Sequence, residues 1–482
     1  MNPRTVAGNT GLLLALMALM LGAPLGLAIW QQDEGAQWAY GISALLTLGV
    51  ALVLWIVGRE APDKLHRKDA LGTVALTWVG MGVLGGLPMW LDGSIGDWSG
   101  ALFESVSGLT TTGATVISDV DNLSDATNLW RCLMHWVGGM GIVVLFVAVF
   151  PQLGVSAKQL FKSEAPGPVA EGLRPRIKQT AFMLWLIYSV MTLLCALLLW
   201  LAGMTPYDAI CHAMSTLGTG GYSTRGASIG AWGSATIDWI IVVFMFLAAL
   251  NFGLYYGALK GDWRQLARNS EVKFYALVNV LVIAVVTVGI LPRHDDLLEA
   301  VRFAAFQVLA VTTTTGFMTE DFETYPQAAR LLLFLCMFMG GCAGSTSGGI
   351  KAIRILVLIK LAIRELRLVI QPQEIVPVRV GGSIYGSSVL HGIMVFTAAF
   401  LMLWAANAVF LCLLGLDLVT AMSASIACLA SIGPGLEGVG PTQNFAFIPA
   451  AGKVSLCVGM IAGRLEIFAL LAVFHPACWR RG

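Results

Sequence analysis

The chain has 482 residues, of which 57% are hydrophobic and only 12% charged, and its mean hydropathy is +0.78. A soluble domain carries roughly twice that share of charge, so composition excludes a soluble fold. Lysine and arginine number 29 against 28 acidic residues, a balance that points neither to nucleic acid nor to acidic partners.

The first apolar stretch covers residues 11–30. A signal peptide is the alternative, but only Arg4 precedes the run, which is long for such a leader, so it reads as a retained helix. Further runs of about 20 apolar residues, enough to cross a hydrocarbon core of roughly 30 Å, fall near 38–58, 70–91, 129–150, 180–203, 235–258, 274–292, 328–350, 386–414 and 452–475. About ten crossings put both termini on one side with the loops 59–69, 151–179, 259–273 and 351–385. That side gathers about 22 of the 29 basic residues, and about 19 of the 28 acids lie opposite, so the basic side is expected to be cytoplasmic.

On the acidic side the chain does not form ordinary hydrophilic loops. Four segments each begin with a short apolar run and end in glycine, threonine or serine: FESVSGLTTTGATVIS (103–118), ICHAMSTLGTGGYST (210–224), FQVLAVTTTTGFMTE (306–320) and ACLASIGPGLEGVGP (427–441). Aligned without gaps they pair Gly113, Gly221, Gly316 and Gly435, and each is flanked by one span before and one after. The expected fold is all-α and polytopic. A helix pair at 1–69 precedes four helix, pore-loop, helix units at 70–178, 179–273, 274–385 and 386–482, set around a pseudo-fourfold pore.

Irregular backbone at membrane depth leaves peptide groups unpaired, at a cost of several kcal/mol each, unless it lines water or is buried in protein. An ion selectivity filter resolves this by turning carbonyls toward a cation, and glycine permits the backbone angles required. The candidate filter is Thr111, Thr112 and Gly113; Thr219, Gly220 and Gly221; Thr314, Thr315 and Gly316; and Gly433, Pro434 and Gly435. None of the twelve is acidic, which suits a monovalent cation that must leave quickly. One such segment alone reads as glycine-rich packing; four in register do not.

These segments resemble those of the TrkH/TrkG potassium-uptake subunits, relatives of KtrB and the plant HKT proteins. The resemblance covers essentially the whole chain and is carried by SGLTTTGATV, MSTLGTGGYS, TTTTGF, SIGPGLEG, GGCAGSTSGGIKAIR (340–354) and GRLEIF (463–468). It implies potassium as the transported ion with no covalently bound cofactor, a bacterial inner membrane, a homodimer, and a cytoplasmic nucleotide-binding regulatory ring of the TrkA type. Sodium-favouring relatives carry serine where this chain has Gly113. In the fourth segment Ile432 and Pro434 stand where threonines stand elsewhere, a departure that the TrkH-like subfamily shares.

Below the filter, GGCAGSTSGG (340–349) interrupts a helix that would otherwise continue to about residue 369, and a polar break survives in a membrane only beside a cavity. Family resemblance makes Gly340, Gly341, Gly344, Ser345, Thr346, Gly348, Gly349 and Lys351 a gating loop. A helix kink is the plainer alternative, and a phosphate loop fails because Gly349-Ile350-Lys351 lacks the Gly-Lys-Ser/Thr order. Arg464 sits near the middle of the last span, where a charge must face water or a partner. Glu466 is too near in sequence to share its helix face, so Arg464 is expected to face the pore and limit flux. Glu104 and His212, both nine residues before a filter glycine, read as loop supports rather than catalytic groups.

The nine cysteines form no CxxC pair, and tryptophans such as 30, 38, 90, 98, 200 and 239 mark membrane boundaries. No HExxH, GxSxG or cysteine/histidine cluster supports an enzyme. A sodium-permeable member of the same superfamily is the alternative transporter. Lys158, Lys162, Arg174 and Arg176 are candidates for partner docking, set against the plainer reading that they only orient the chain.

Overall fold

The computed structural model describes residues 1–60, 66–148 and 173–479. Among them the regular secondary structure is helical apart from the ribbon Arg379–Val380 with Ser383–Ile384 and a bridge between Met339 and Ile350. Pro3–Met20 and Gly22–Gln31 run on through Leu21 as one apolar rod and pack on Glu34–Gly58. Small residues allow that approach: a Cβ on Gly11 would lie 2.6 Å from the Ala51 carbonyl oxygen.

Four units follow, each with a long helix, a short helix and a second long element. Their short helices are Trp98–Leu109, Pro206–Gly218, Leu297–Thr312 and Leu418–Leu429. The long helices turn leucine and valine outward, as at Leu193, Val280 and Leu281, whereas polar residues of the short helices, such as Glu104, Ser105 and His212, are fully enclosed. Hydrocarbon outside and protein inside account for that inversion. Asp97, Thr205 and Asp417 cap three of the short helices by accepting the backbone N–H of Gly100, Asp208 and Thr420. At the first cap the Ser99 hydroxyl, helped by the Gly100 N–H and Lys453, holds the Asp97 carboxyl below its usual range against a smaller desolvation effect.

The expected tenfold crossing is revised in its second helices. Among the described residues six helices are long and apolar enough to span, and Ala235–Ala248 with Phe252–Leu259 makes a seventh only as a pair bent by 91°. The 235–258 stretch is therefore not one straight span. The last one, 452–475, also breaks, between Ala450–Arg464 and Phe468–Phe474, with Glu466 and Ile467 at φ 57° and 54°. In the third unit Gln327–Cys336 and Ala352–Ile370 are separated by the expected break.

Candidate ion-conduction site

Each short helix ends directly at a segment of irregular backbone, so four helix C-termini, each carrying roughly half a negative charge, aim at one region. Thr111, Thr219, Thr314 and Ser431 there take left-handed φ of 56°, 53°, 58° and 57°. Two residues later Gly113, Gly221, Gly316 and Gly433 take φ of 79°, 82°, 77° and 97°. The intervening residues donate N–H bonds to the same helical position: Thr112 to Ser107 (2.8 Å), Gly220 to Ser215 (2.9 Å), Thr315 to Ala310 (2.9 Å) and Ile432 to Ala427 (2.8 Å).

This corrects the register of the fourth segment. Its equivalent triplet is Ser431, Ile432 and Gly433, not Gly433, Pro434 and Gly435. Gly435 lies two residues beyond the ring, donating to the Val439 carbonyl at 2.7 Å and packing on Ser423. The two glycines flanking Pro434 are alike as letters; only the backbone angles separate them. The shift removes the apparent irregularity, because a hydroxyl now opens and a glycine closes all four triplets.

The segments close into a ring. A Cβ on Gly113 would lie 1.9 Å from the Gly220 carbonyl oxygen, one on Gly221 2.1 Å from that of Thr315, one on Gly316 1.9 Å from that of Ile432, and one on Gly433 2.7 Å from that of Thr112. Each unit thus abuts the next and the fourth returns to the first. Side chains there would collide with backbone, and left-handed φ adds strain for any residue with a Cβ. Among the described residues the buried hydroxyls of Thr111 and Ser431 have no hydrogen-bond partner.

Glu104 and His212 support the chain leaving the ring. The Glu104 carboxylate accepts from the Val116 N–H (2.9 Å), the Thr115 hydroxyl (3.0 Å) and Arg131 Nε (2.9 Å). His212 donates from Nδ1 to the Asp208 carbonyl at 2.7 Å, which leaves Nε2 to accept from the Ser223 hydroxyl at 2.9 Å. Gln307 and Ser423 serve the third and fourth units, through the Glu320 carbonyl (3.1 Å) and the Leu436 N–H (2.9 Å). Arg131 neutralises Glu104, the buried acid behind the first segment.

Beneath the ring the 340–349 break touches the second, third and fourth units directly. The Gly348 N–H donates to the Thr314 hydroxyl at 2.8 Å, and a Cβ on Gly348 would lie 2.2 Å from the Ala430 carbonyl oxygen. Thr346 donates to the Ala248 carbonyl at 3.2 Å, Cys342 N–H to that of Ala249 at 2.8 Å, and the Gly344 carbonyl accepts the Phe252 N–H at 3.1 Å. The bent helix of the second unit therefore supplies its freed carbonyls to this loop. Gly340 N–H bonds the Ile350 carbonyl, Ser345 bonds that of Cys342, and Lys351 Nζ folds back on that of Ser347. Gly341 and Gly349 lie where the two ends of the loop approach each other.

Arg464 is buried and bonds two carbonyls, Thr346 at 2.6 Å and Gly138 at 2.8 Å, tying the loop to the first unit. Glu466 is not its partner and pairs instead with Arg354 at 2.7 Å. Sequence reasoning missed Glu271, whose buried carboxylate accepts the N–H groups of Ala343 (2.8 Å), within the break, and Ile353 (3.1 Å), at the start of the helix that follows it. An acid at the first turn of an apolar helix is so common at a membrane boundary that nothing singles it out. Lys158 and Lys162 lie outside the described residues, and Arg174 and Arg176 are described only as backbone of the helix Leu173–Leu201.

Four short helices aimed at a closed backbone ring, enclosed by apolar helices, define a polytopic all-α membrane protein built around a pseudo-fourfold axis. The model of the TrkH family, described as a cation transport protein, matches residues 42–480. The Trk system potassium uptake protein TrkH of Halomonas elongata is 37% identical over the full length of both chains, that of Escherichia coli 36%, and TrkG of Escherichia coli 32% over 99% of each. The crystal structure of the potassium transporter TrkH from Vibrio parahaemolyticus superposes with a TM-score of 0.91 at 36% identity, covering both chains completely. The chain belongs to the TrkH family, whose members are cation transporters and not enzymes.

Proposed function

We propose that this protein conducts potassium into the cell through the ring, with the backbone of Thr111–Gly113, Thr219–Gly221, Thr314–Gly316 and Ser431–Gly433 replacing the ion's hydration shell. The ring's closure carries this reading. Four left-handed glycines each abut the next segment's carbonyl, an arrangement that only backbone can fill. Four helix C-termini and two unpartnered hydroxyls make the region attractive to a cation. The absence of any carboxylate from the twelve ring positions favours fast release over tight binding. The relatives named as potassium uptake proteins agree with this choice of ion.

In this reading the units at 70–178, 179–273, 274–385 and 386–482 are quarters of one pore, the 340–349 loop is the gate and Arg464 its latch. Two copies assemble in the bacterial inner membrane with both termini cytoplasmic, and a cytoplasmic nucleotide-binding ring opens the gate. The lysine and arginine bias supports that orientation. The test is growth of a bacterial strain lacking potassium uptake on low potassium, with the partner ring supplied. The chain restores growth and Gly113→Ser does not; failure of the unmodified chain overturns the proposal. Reversal potentials in mixed potassium and sodium identify the ion, and a shift that follows sodium would make it a sodium-permeable transporter.

A further inference from the structure

The residue after each ring glycine differs from unit to unit: Ala114, Tyr222, Phe317 and Pro434. Only tyrosine brings a hydroxyl, and it reaches across a unit boundary. The Tyr222 hydroxyl lies 3.1 Å from the Ala114 carbonyl oxygen and 3.1 Å from that of Glu104, so its proton is shared between two acceptors of the first unit. The tie therefore runs from the residue after one ring glycine to the residue after its neighbour.

The aromatic ring that carries this hydroxyl is held on a platform from a single helix, Asp125–Ala148. The Arg131 guanidinium lies 4.0 Å over the Tyr222 ring, and the His135 ring stacks on it at 4.1 Å and 15°. Arg131 is itself fixed by Glu104 at 2.9 Å and Asn128 at 3.0 Å. His135 is fixed by Ser215 at 3.0 Å and rests directly behind the ring, where a Cβ on Gly220 would lie 2.1 Å from its Nδ1. Every member is buried. Such a stack confines the tyrosine ring, so the hydroxyl has little freedom to leave its acceptors.

Resting on the filter reading above, we propose that Tyr222 is a positioning residue for ion discrimination, which holds the Ala114 carbonyl away from the conduction path. Discrimination by a carbonyl cage depends on the number of oxygens and on how far they can move. With its tie removed, the buried Ala114 carbonyl is free to turn toward a cation at the end of the ring. An additional mobile oxygen lets the cage contract around a smaller cation. At the other three junctions the residue after the ring glycine, Ala114, Phe317 or Pro434, has no hydroxyl with which to make such a tie.

The test uses the full chain with its partner ring and measures the potassium-to-sodium permeability ratio from bi-ionic reversal potentials. Tyr222→Phe keeps the ring that Arg131 and His135 pack on and removes only the hydroxyl; the ratio should fall about fivefold, which is about 1 kcal/mol. Tyr40→Phe in the N-terminal helix pair, which loses a buried hydroxyl bond to Thr127 in the first turn of the Asp125–Ala148 helix, should leave the ratio unchanged. If Tyr222→Phe does not conduct, potassium-dependent thermal stabilisation in detergent, competed with sodium, reads the same preference. An unchanged preference in Tyr222→Phe while Gly113→Ser lowers it overturns this assignment alone. An unchanged preference in Gly113→Ser overturns the filter reading and this assignment with it.

Discussion

At the scale of single residues the ring rests on positions where a Cβ has nowhere to go. Gly433 has φ 97° and its Cβ would lie 2.7 Å from the Thr112 carbonyl oxygen, whereas a Cβ on Gly435 would meet the Val439 and Ser423 side chains at 2.8 and 2.9 Å and backbone, at Ser423, only at 3.2 Å. Left-handed backbone costs a residue with a Cβ about 1–2 kcal/mol, before any collision is counted. Gly433→Ala should therefore lower potassium-over-sodium discrimination about tenfold and Gly435→Ala much less, as read from reversal potentials. The reverse order would restore the register that pairs Gly435 with Gly113. Arg464 acts differently, through two hydrogen bonds to carbonyls in different units. Arg464→Ala should raise single-channel conductance or open fraction several-fold, and reduced current with lost selectivity would mark it as a structural brace instead.

At the scale of elements the proposed gate is the 340–349 loop together with the broken helices that receive it. Glu271 clasps the loop through two N–H groups, and bonds to an ionised acceptor contribute about 1.5–3 kcal/mol each. Glu271→Gln keeps the shape and removes the charge, so open probability should rise in single-channel records while the reversal potential stays put. Shortening the loop by Ser345–Ser347 should push in the same direction. A closed channel with unchanged gating after that deletion would show that the obstruction lies elsewhere. The loop itself was legible as a run of glycine and serine in an apolar setting. The breaks at 249–251 and 465–467 were not, because Leu250-Asn251 and Leu465-Glu466-Ile467 contain neither glycine nor proline. They are opened by partners far along the chain: Cys342 for the Ala249 carbonyl and Arg354 for Glu466.

At the scale of the whole molecule the proposed orientation rests on the charge distribution, and the proposed partner would meet the basic face. Reversing Lys158, Lys162, Arg174 and Arg176 together should abolish copurification of the cytoplasmic ring if that face is the dock. Copurification at the parent level, with normal membrane insertion, would leave those charges as an orientation signal only.

What the sequence determined by itself follows from the solvent. Lipid demands about 20 apolar residues per crossing and tolerates irregular backbone only in protein or beside water, so the apolar stretches, the four re-entrant segments and the presence of a pore were readable as composition and spacing, though not which stretches are broken. Thr111–Gly113, Thr219–Gly221 and Thr314–Gly316 were legible for the same reason, since a hydroxyl and a glycine recur at a fixed interval. Tertiary structure alone decided the rest. The fourth triplet depends on which of two identical glycines adopts left-handed φ, and that is settled by the neighbouring unit's carbonyl. The bridging role of Arg464, the clasp of Glu271 and the reach of Tyr222 to Ala114 each join residues 72 to 326 positions apart. No local pattern encodes such a pairing, because it exists only once four units have closed around one axis.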